Sequence, residues 1–309
     1  LFRLALLVAG PRAALLAGLY AAFSPAFLTR YSLSNDGNYV EVLALGTWAL
    51  WLAARWTRED EARSRLAFAA GLLLGLASWC HILAIIHLAA LAALFGLATV
   101  VSRRMLPGMT SLLNLAGGWA IGYAPGWLWN IANDWESFHY LVPGAARTDE
   151  AGASGLAGAA SGLGERLRLM VTDHWPVLMG YDTGYGPAVD GLLAALSWIG
   201  VAAALFATAW TARRAWRERS WPLASLLLFA ATNLAVALVA LPHVPGNPRY
   251  ILFLMSVVPV FLADALGEGS GWRRLVLALL IATGALVSFA QVPDTLRKDA
   301  RWRQFVADL

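Results

Sequence analysis

Long apolar stretches separated by short polar breaks recur along the whole chain, at residues 13–28, 39–56, 66–79, 82–101, 109–129, 189–210, 221–241, 250–266 and 275–292. A helix that crosses a bilayer needs about 20 mostly apolar residues. Lipid offers no water to backbone N–H and C=O groups, so each run is expected to be helical. The pattern predicts an all-α, polytopic transmembrane helical bundle of about nine spans. One division is delicate: around Ser78 to His81 a single apolar stretch must become two short helices joined by a tight turn.

Charge supports that division. With the turn in place, Arg55, Arg58, Arg63 and Arg65, then Arg103 and Arg104, then Arg213, Arg214, Arg217 and Arg219, then Arg273 and Arg274 all fall on one side. Loops rich in Arg are retained in the cytoplasm, which makes this the inner side. The outer side receives the loops at 30–38, 130–187 and 242–249 and the C-terminal tail. Within the long outer loop, residues 144–164 are rich in Gly, Ala and Ser, a composition that gives a pliant chain. Leu163, Leu167, Met170 and Val171 then recur at helical spacing, with Arg166 and Arg168 on other faces. That pattern predicts a short helix lying on the membrane surface.

Composition agrees with a lipid-solvated chain: of 309 residues, 59% are hydrophobic and only 14% charged, outside the usual balance of soluble domains. The formal charge of +4 sits in short clusters between apolar runs, as in membrane loops, so nucleic acid is not expected as a partner. Lys298 is the only lysine, and the Arg, Ala and Gly bias points to GC-rich bacterial coding. The expected location is the bacterial inner (plasma) membrane, with membrane lipids as partners. Cys80 is the only cysteine, so no disulfide forms within the chain. The chain opens at Leu1 directly into an apolar run without a basic start, and an N-terminal helix with its outer loop is expected to precede it. Residues 1–292 form one transmembrane domain, and the polar stretch 293–309 reads as the start of an outer segment.

Four polar constellations lie at the outer ends of the predicted helices. Asp36 and Glu41 belong to the first, within the run from Ser34 to Glu41. Asp36 reads equally as a helix cap, whereas an ionised Glu41 one turn into an apolar helix needs a partner or a wet cavity. His81 marks the second, with His87 deeper in the next helix; His81 fits a phosphate or metal ligand as well as a turn residue bonded to backbone. The third runs from Tyr123 to His139, where Asn130, Asn133 and Ser137 share a helical face that either contacts a sugar or closes a helix end. His243, Asn247, Arg249 and Tyr250 make the fourth, in a Pro- and Gly-broken loop before a helix. Arg offers a planar fork that grips phosphate through paired hydrogen bonds. A divalent metal ion is the one cofactor kept open. Nucleotide-binding glycine loops, zinc-protease motifs and nucleophile elbows do not occur in the sequence.

Several runs together resemble glycosyltransferase family 39 of the GT-C superfamily, which includes protein O-mannosyltransferases and the aminoarabinose transferase of lipid A. They are Gly37-Asn38-Tyr39-Val40-Glu41-Val42-Leu43, Gly75-Leu76-Ala77-Ser78-Trp79, Gly122-Tyr123-Ala124-Pro125-Gly126-Trp127-Leu128-Trp129-Asn130 with Ser137-Phe138, Pro176-Val177-Leu178-Met179-Gly180, and Pro248-Arg249-Tyr250-Ile251-Leu252. The resemblance implies an inverting hexosyl transfer from a polyprenyl-phosphate sugar at the outer membrane face, with an acidic residue as general base. In that family the principal acidic residue lies in the first outer loop, which this chain is expected to lack. Asp36 and Glu41 then stand as catalytic candidates; Arg249, Tyr250, His243, Asn247, His81 and Asn130 stand as substrate contacts.

Two other classes compete. A multi-pass transporter or lipid flippase also uses intramembrane carboxylates, although internal repeats with matching broken helices are not evident in the sequence. A lipid-linked glycan polymerase or ligase shares the topology with another acceptor.

Overall fold

The computed structural model describes residues 1–33, 38–59, 63–101, 105–139, 162–183, 185–240, 247–267 and 269–307. Among these residues the chain is all-α and has no β-strand. The helices are α1 (Phe2–Ala9), α2 (Pro11–Ala22), α3 (Ala26–Leu33), α4 (Tyr39–Trp56), α5 (Arg63–Cys80), α6 (Ile85–Val101), α7 (Met105–Gly122), α8 (Ala124–Ala132), α9 (Glu136–His139), α10 (Leu163–Leu169), α11 (Trp175–Leu178), α12 (Pro187–Glu218), α13 (Trp221–Ala240), α14 (Val258–Gly267) and α15 (Gly271–Ala307). A π-helical turn, Met170–His174, joins α10 to α11, and 3-10 segments occupy Ile82–Ala84 and Arg249–Ser256.

Each apolar run does carry a helix or a bent helix pair, but the expectation of about nine spans is corrected. Among the described residues three helices are long and apolar enough to cross a membrane, Pro187–Glu218, Trp221–Val239 and Gly271–Ala290, or five if two bent pairs each count as one. Two runs are bent, while α4 and α5, unbroken over 18 residues each, fall below the mean hydropathy of a span. The run at 13–28 breaks at Phe23 to Pro25, so Pro11–Ala22 and Ala26–Ser32 meet at 69°. The run at 250–266 bends by 48° between Arg249–Ser256 and Val258–Gly267, and the run at 109–129 is interrupted at Tyr123. Hydropathy counts apolar residues and does not register such breaks. The predicted split near His81 is present: His81 is extended, with φ −161° and ψ 140°, between α5 and the 3-10 turn.

The bent segment from Arg249 to Gly267 is the axis of the fold. All residues from Ile251 to Gly267 are buried. Around it the large apolar side chains of the outer surface point away from the protein: Leu113, Leu128, Leu205, Leu286 and Phe289 are all exposed. Such a surface is suited to lipid rather than water.

Inter-helix contacts use small residues and hydroxyls, as expected where lipid supplies no hydrophobic drive for helices to associate. On α5, a Cβ added to Gly71 or Gly75 would collide with the carbonyl oxygens of Leu115 and Trp119 on α7. On α7, a Cβ on Gly118 or Gly122 would collide with those of Phe68 and Leu72. Two Gly-x-x-x-Gly pairs thus let the two backbones touch. Thr47 on α4 bonds Ser256 at 2.9 Å, the Trp56 indole N–H donates to Ser111 Oγ at 2.8 Å, and Thr29 bonds Ser288 at 2.7 Å.

Candidate functional site

The helix directions bring the end of α3, the start of α4, the turn after α5 and the start of the Arg249–Ser256 segment to one end of the bundle. Each arrives with a polar side chain. Tyr31, at the end of α3, donates its hydroxyl to Asn247 Oδ1 at 3.3 Å, and the same oxygen accepts the Arg249 backbone N–H at 3.3 Å. Asn247 therefore holds the turn that Pro248 opens. The Arg249 guanidinium lies 4.8 Å from the Tyr250 ring centroid and donates Nη2 to the Tyr250 hydroxyl at 2.8 Å. It also interacts with the Tyr39 phenol. Its Nε–H is buried with no hydrogen-bond acceptor among the described residues. From below, Asn233 on α13 donates Nδ2 to the Tyr250 carbonyl oxygen at 3.3 Å.

Tyr39 stands between two of its neighbours, with ring centroids 5.5 Å from Tyr31 and 4.6 Å from His81. Its position follows from Asn38, which takes the left-handed conformation (φ 59°) that Asn tolerates better than most residues. Asn38 also donates Nδ2 to the Cys80 carbonyl oxygen at 3.3 Å, tying α4 to the turn. His81 accepts the Leu83 backbone N–H on Nδ1 at 3.1 Å. An accepting Nδ1 places the ring proton on Nε2. Burial, and then the Arg249 charge, lower the imidazole's tendency to protonate below the ordinary histidine value. His81 thus caps the turn through Nδ1 and leaves its Nε2–H as a donor.

The structure brings together His81, Asn247, Arg249 and Tyr250, and adds Tyr31, Tyr39 and Asn233. Glu41 lies on the exposed side of the first turn of α4, near enough to the Cys80 thiol for its charge to act there. Asn130 is elsewhere: fully buried, it donates Nδ2 to the Gly126 carbonyl oxygen at 2.8 Å and to the Tyr123 hydroxyl at 3.3 Å, and accepts the Ser137 N–H at 3.1 Å. Those bonds close α8 and leave Asn130 little capacity for a ligand. Asp36 and His243 lie outside the described residues. His87 is fully buried beside Phe229 and Phe253, at 4.7 and 5.2 Å between centroids, and neither ring nitrogen finds a hydrogen-bond partner.

A second ionic group flanks this end. Arg30 grips Asp182 through Nη2 at 2.9 and 3.1 Å, and the Tyr185 hydroxyl donates to Asp182 at 3.0 Å. Sequence reasoning singled out neither pair, since an aromatic or Arg beside an apolar run reads first as an interfacial anchor. Among the described residues no three His, Cys, Asp or Glu side chains converge to hold a metal ion. What converges is a guanidinium ringed by phenols, amides and a neutral imidazole, a set suited to anions and hydroxyl-rich ligands.

Comparison with family models, with curated proteins and with solved structures finds no match to this chain.

Proposed function

We propose that the chain is the membrane-embedded part of a glycosyltransferase that moves a sugar from a polyprenyl-phosphate donor to an acceptor hydroxyl at the outer face of the membrane. The observation that carries this reading is Arg249: a half-buried guanidinium with an unpartnered Nε–H, at the mouth of the bundle, surrounded by Tyr31, Tyr39, His81, Asn247 and Tyr250. A lipid-linked donor presents its phosphate at this depth while its tail stays in the bilayer. In the reaction the acceptor oxygen bonds to the anomeric carbon as the carbon–oxygen bond to the phosphate breaks. The bonding pair leaves on the phosphate, where Arg249 stabilises the developing charge, and the acceptor proton passes to a carboxylate. Glu41 is the carboxylate assigned to that role among the described residues, with Asp36 beside it in sequence. The phenols and the His81 Nε2–H supply hydrogen bonds to sugar hydroxyls.

One observation favours a second reading as a transporter or lipid flippase: the two candidate spans bent by 69° and 48°, since broken helices line many transport sites. The polar groups near these bends are hydroxyls bonded to one another or to backbone, Ser24 with Thr29 and Ser288, and Thr47 with Ser256. That arrangement fits a packing role better than an ion path. The test is incubation of the full-length protein in lipid vesicles with a polyprenyl-phosphate hexose and a hydroxyl acceptor. Release of polyprenyl phosphate with matching glycosylation supports the transferase. Movement of intact donor across the bilayer without bond cleavage establishes the alternative.

A further inference from the structure

At the end of the bundle opposite Arg249, α12, α14 and the start of α15 border a half-open pocket of about 550 Å³ lined by Trp210, Arg213, Arg214, Arg217, Asp264 and Arg273 among others. That volume is within the ~300–1,000 Å³ range of small-ligand pockets. Among the described residues its lining carries four arginines and two carboxylates. Arg214 takes both carboxylates, donating Nε to Glu218 at 2.9 Å and Nη1 to the buried Asp264. Arg213, Arg217 and Arg273 remain on the lining without an ion pair among the described residues.

Arg273 is held in place. Its guanidinium carbon lies 5.2, 5.2 and 5.5 Å from the ring centroids of Phe206, Trp210 and Trp272, and its Nε–H is buried with no acceptor among the described residues. Its stem lies across Gly269, where a Cβ would collide with the Arg273 Cδ. An arginine that serves only to mark the inner side of a membrane needs no aromatic bracket and no glycine beneath it. Directly along α15 from this point, Trp272, Leu275 and Leu279 are exposed at spacings that share one helical face. A cationic cavity thus opens onto an apolar strip that runs down the lipid-facing side.

We propose that this cavity binds the phosphate of an anionic phospholipid, with Arg213, Arg217 and Arg273 around the phosphate and an acyl chain along Trp272, Leu275 and Leu279. It is a second phosphate site, at the opposite end from Arg249, and its occupation does not depend on what Arg249 does. The pocket lies at the end to which the charge pattern assigns the basic loops, where anionic lipid of the inner leaflet reaches it directly.

The test is native mass spectrometry of the delipidated full chain in detergent, titrated with phosphatidylglycerol, phosphatidylcholine or inorganic phosphate. Phosphatidylglycerol is expected to bind at least tenfold more tightly than phosphatidylcholine, and Arg217→Gln, an exposed position, to weaken it about fivefold. Gly269→Ala keeps every charge but displaces Arg273, and is also expected to weaken binding. Equal binding of the two lipids overturns the proposal, as does full phosphatidylglycerol affinity in Arg217→Gln and Gly269→Ala. Inorganic phosphate that displaces the lipid at equal concentration overturns the lipid assignment.

Discussion

Tyr39 and His81 face each other with 4.6 Å between ring centroids, one at the start of α4 and the other in the turn that ends α5. The pair ties the two helices together beside Arg249, and it makes the site sensitive to acid. Because the His81 imidazole is held below the ordinary value of 6.5 by burial and by Arg249, the folded state binds its proton less readily than the unfolded chain. The stability this contributes is fully present above about pH 6.5 and is lost as the pH falls toward the lowered value. In detergent, the thermal midpoint of the wild-type protein is expected to drop more between pH 7.5 and pH 5 than that of His81→Gln. Parallel pH profiles would show that His81 is solvated.

Gly117 and Gly118 offer an internally controlled test of the α5–α7 contact. A Cβ at Gly117 meets nothing within 4 Å, whereas at Gly118 it collides with the Phe68 carbonyl oxygen. Backbone cannot move aside as a side chain can, so Gly118→Ala is expected to destabilise by about 1–3 kcal/mol. Gly117→Ala should be neutral or stabilising by up to ~1 kcal/mol, since Ala is the better helix former. Unfolding of both variants in mixed micelles reads the difference, and equal effects would remove the close-contact account.

Asn130 separates structure from chemistry. Asn130→Ala removes three hydrogen bonds inside a buried turn and is expected to cost about 1–3 kcal/mol through the groups left unsatisfied. At matched amounts of folded protein, sugar transfer should be unaffected. A selective loss of transfer would return Asn130 to the substrate cavity.

Much of the helical layout was legible from hydropathy: the run at 39–56 coincides with α4 (Tyr39–Trp56), and the weak point at Ser78 to His81 is a real break. The number of spans was not legible: the breaks at Phe23 to Pro25 and at Val257 are conformational and leave the apolar pattern intact, and the runs at 39–56, 66–79 and 82–101 are helical yet fall short of a span in mean hydropathy or length. The Gly-x-x-x-Gly spacing on α5 and α7 is written in the chain, but which helix each pair faces is a tertiary fact. At the site, Arg249, Tyr250, Asn247 and His81 could be selected as polar residues at helix ends with a chemical reason to be there. Tyr31, Tyr39 and Asn233 could not, since their roles depend on neighbours far away in sequence. Asn130 stood out by the same polarity argument, yet its atoms are spent on its own helix end.

In the proposed transfer Glu41 accepts the acceptor proton from an exposed position on α4. Glu41→Gln in the full-length protein is expected to reduce transfer by 10²-fold or more, the usual scale for a general base, while leaving donor binding intact. Donor binding followed by Trp fluorescence beside the transfer assay separates the two. Unchanged transfer would leave Glu41 as a surface residue of the first turn.

In the proposed transfer Arg249 grips the phosphate of a lipid-linked donor. A fork of donors fixed by Pro248, Asn247 and Tyr250 makes paired bonds to phosphate, and a lysine ammonium offers only a point charge on a flexible stem. The most direct measurement is the rate of transfer from a polyprenyl-phosphate hexose by wild type, Arg249→Lys and Arg249→Ala at equal levels in the membrane. A loss of at least tenfold is expected in Arg249→Lys, with a larger loss in Arg249→Ala. A wild-type rate in Arg249→Lys would contradict it, because an arginine that merely reaches toward lipid headgroups is replaced by lysine without cost.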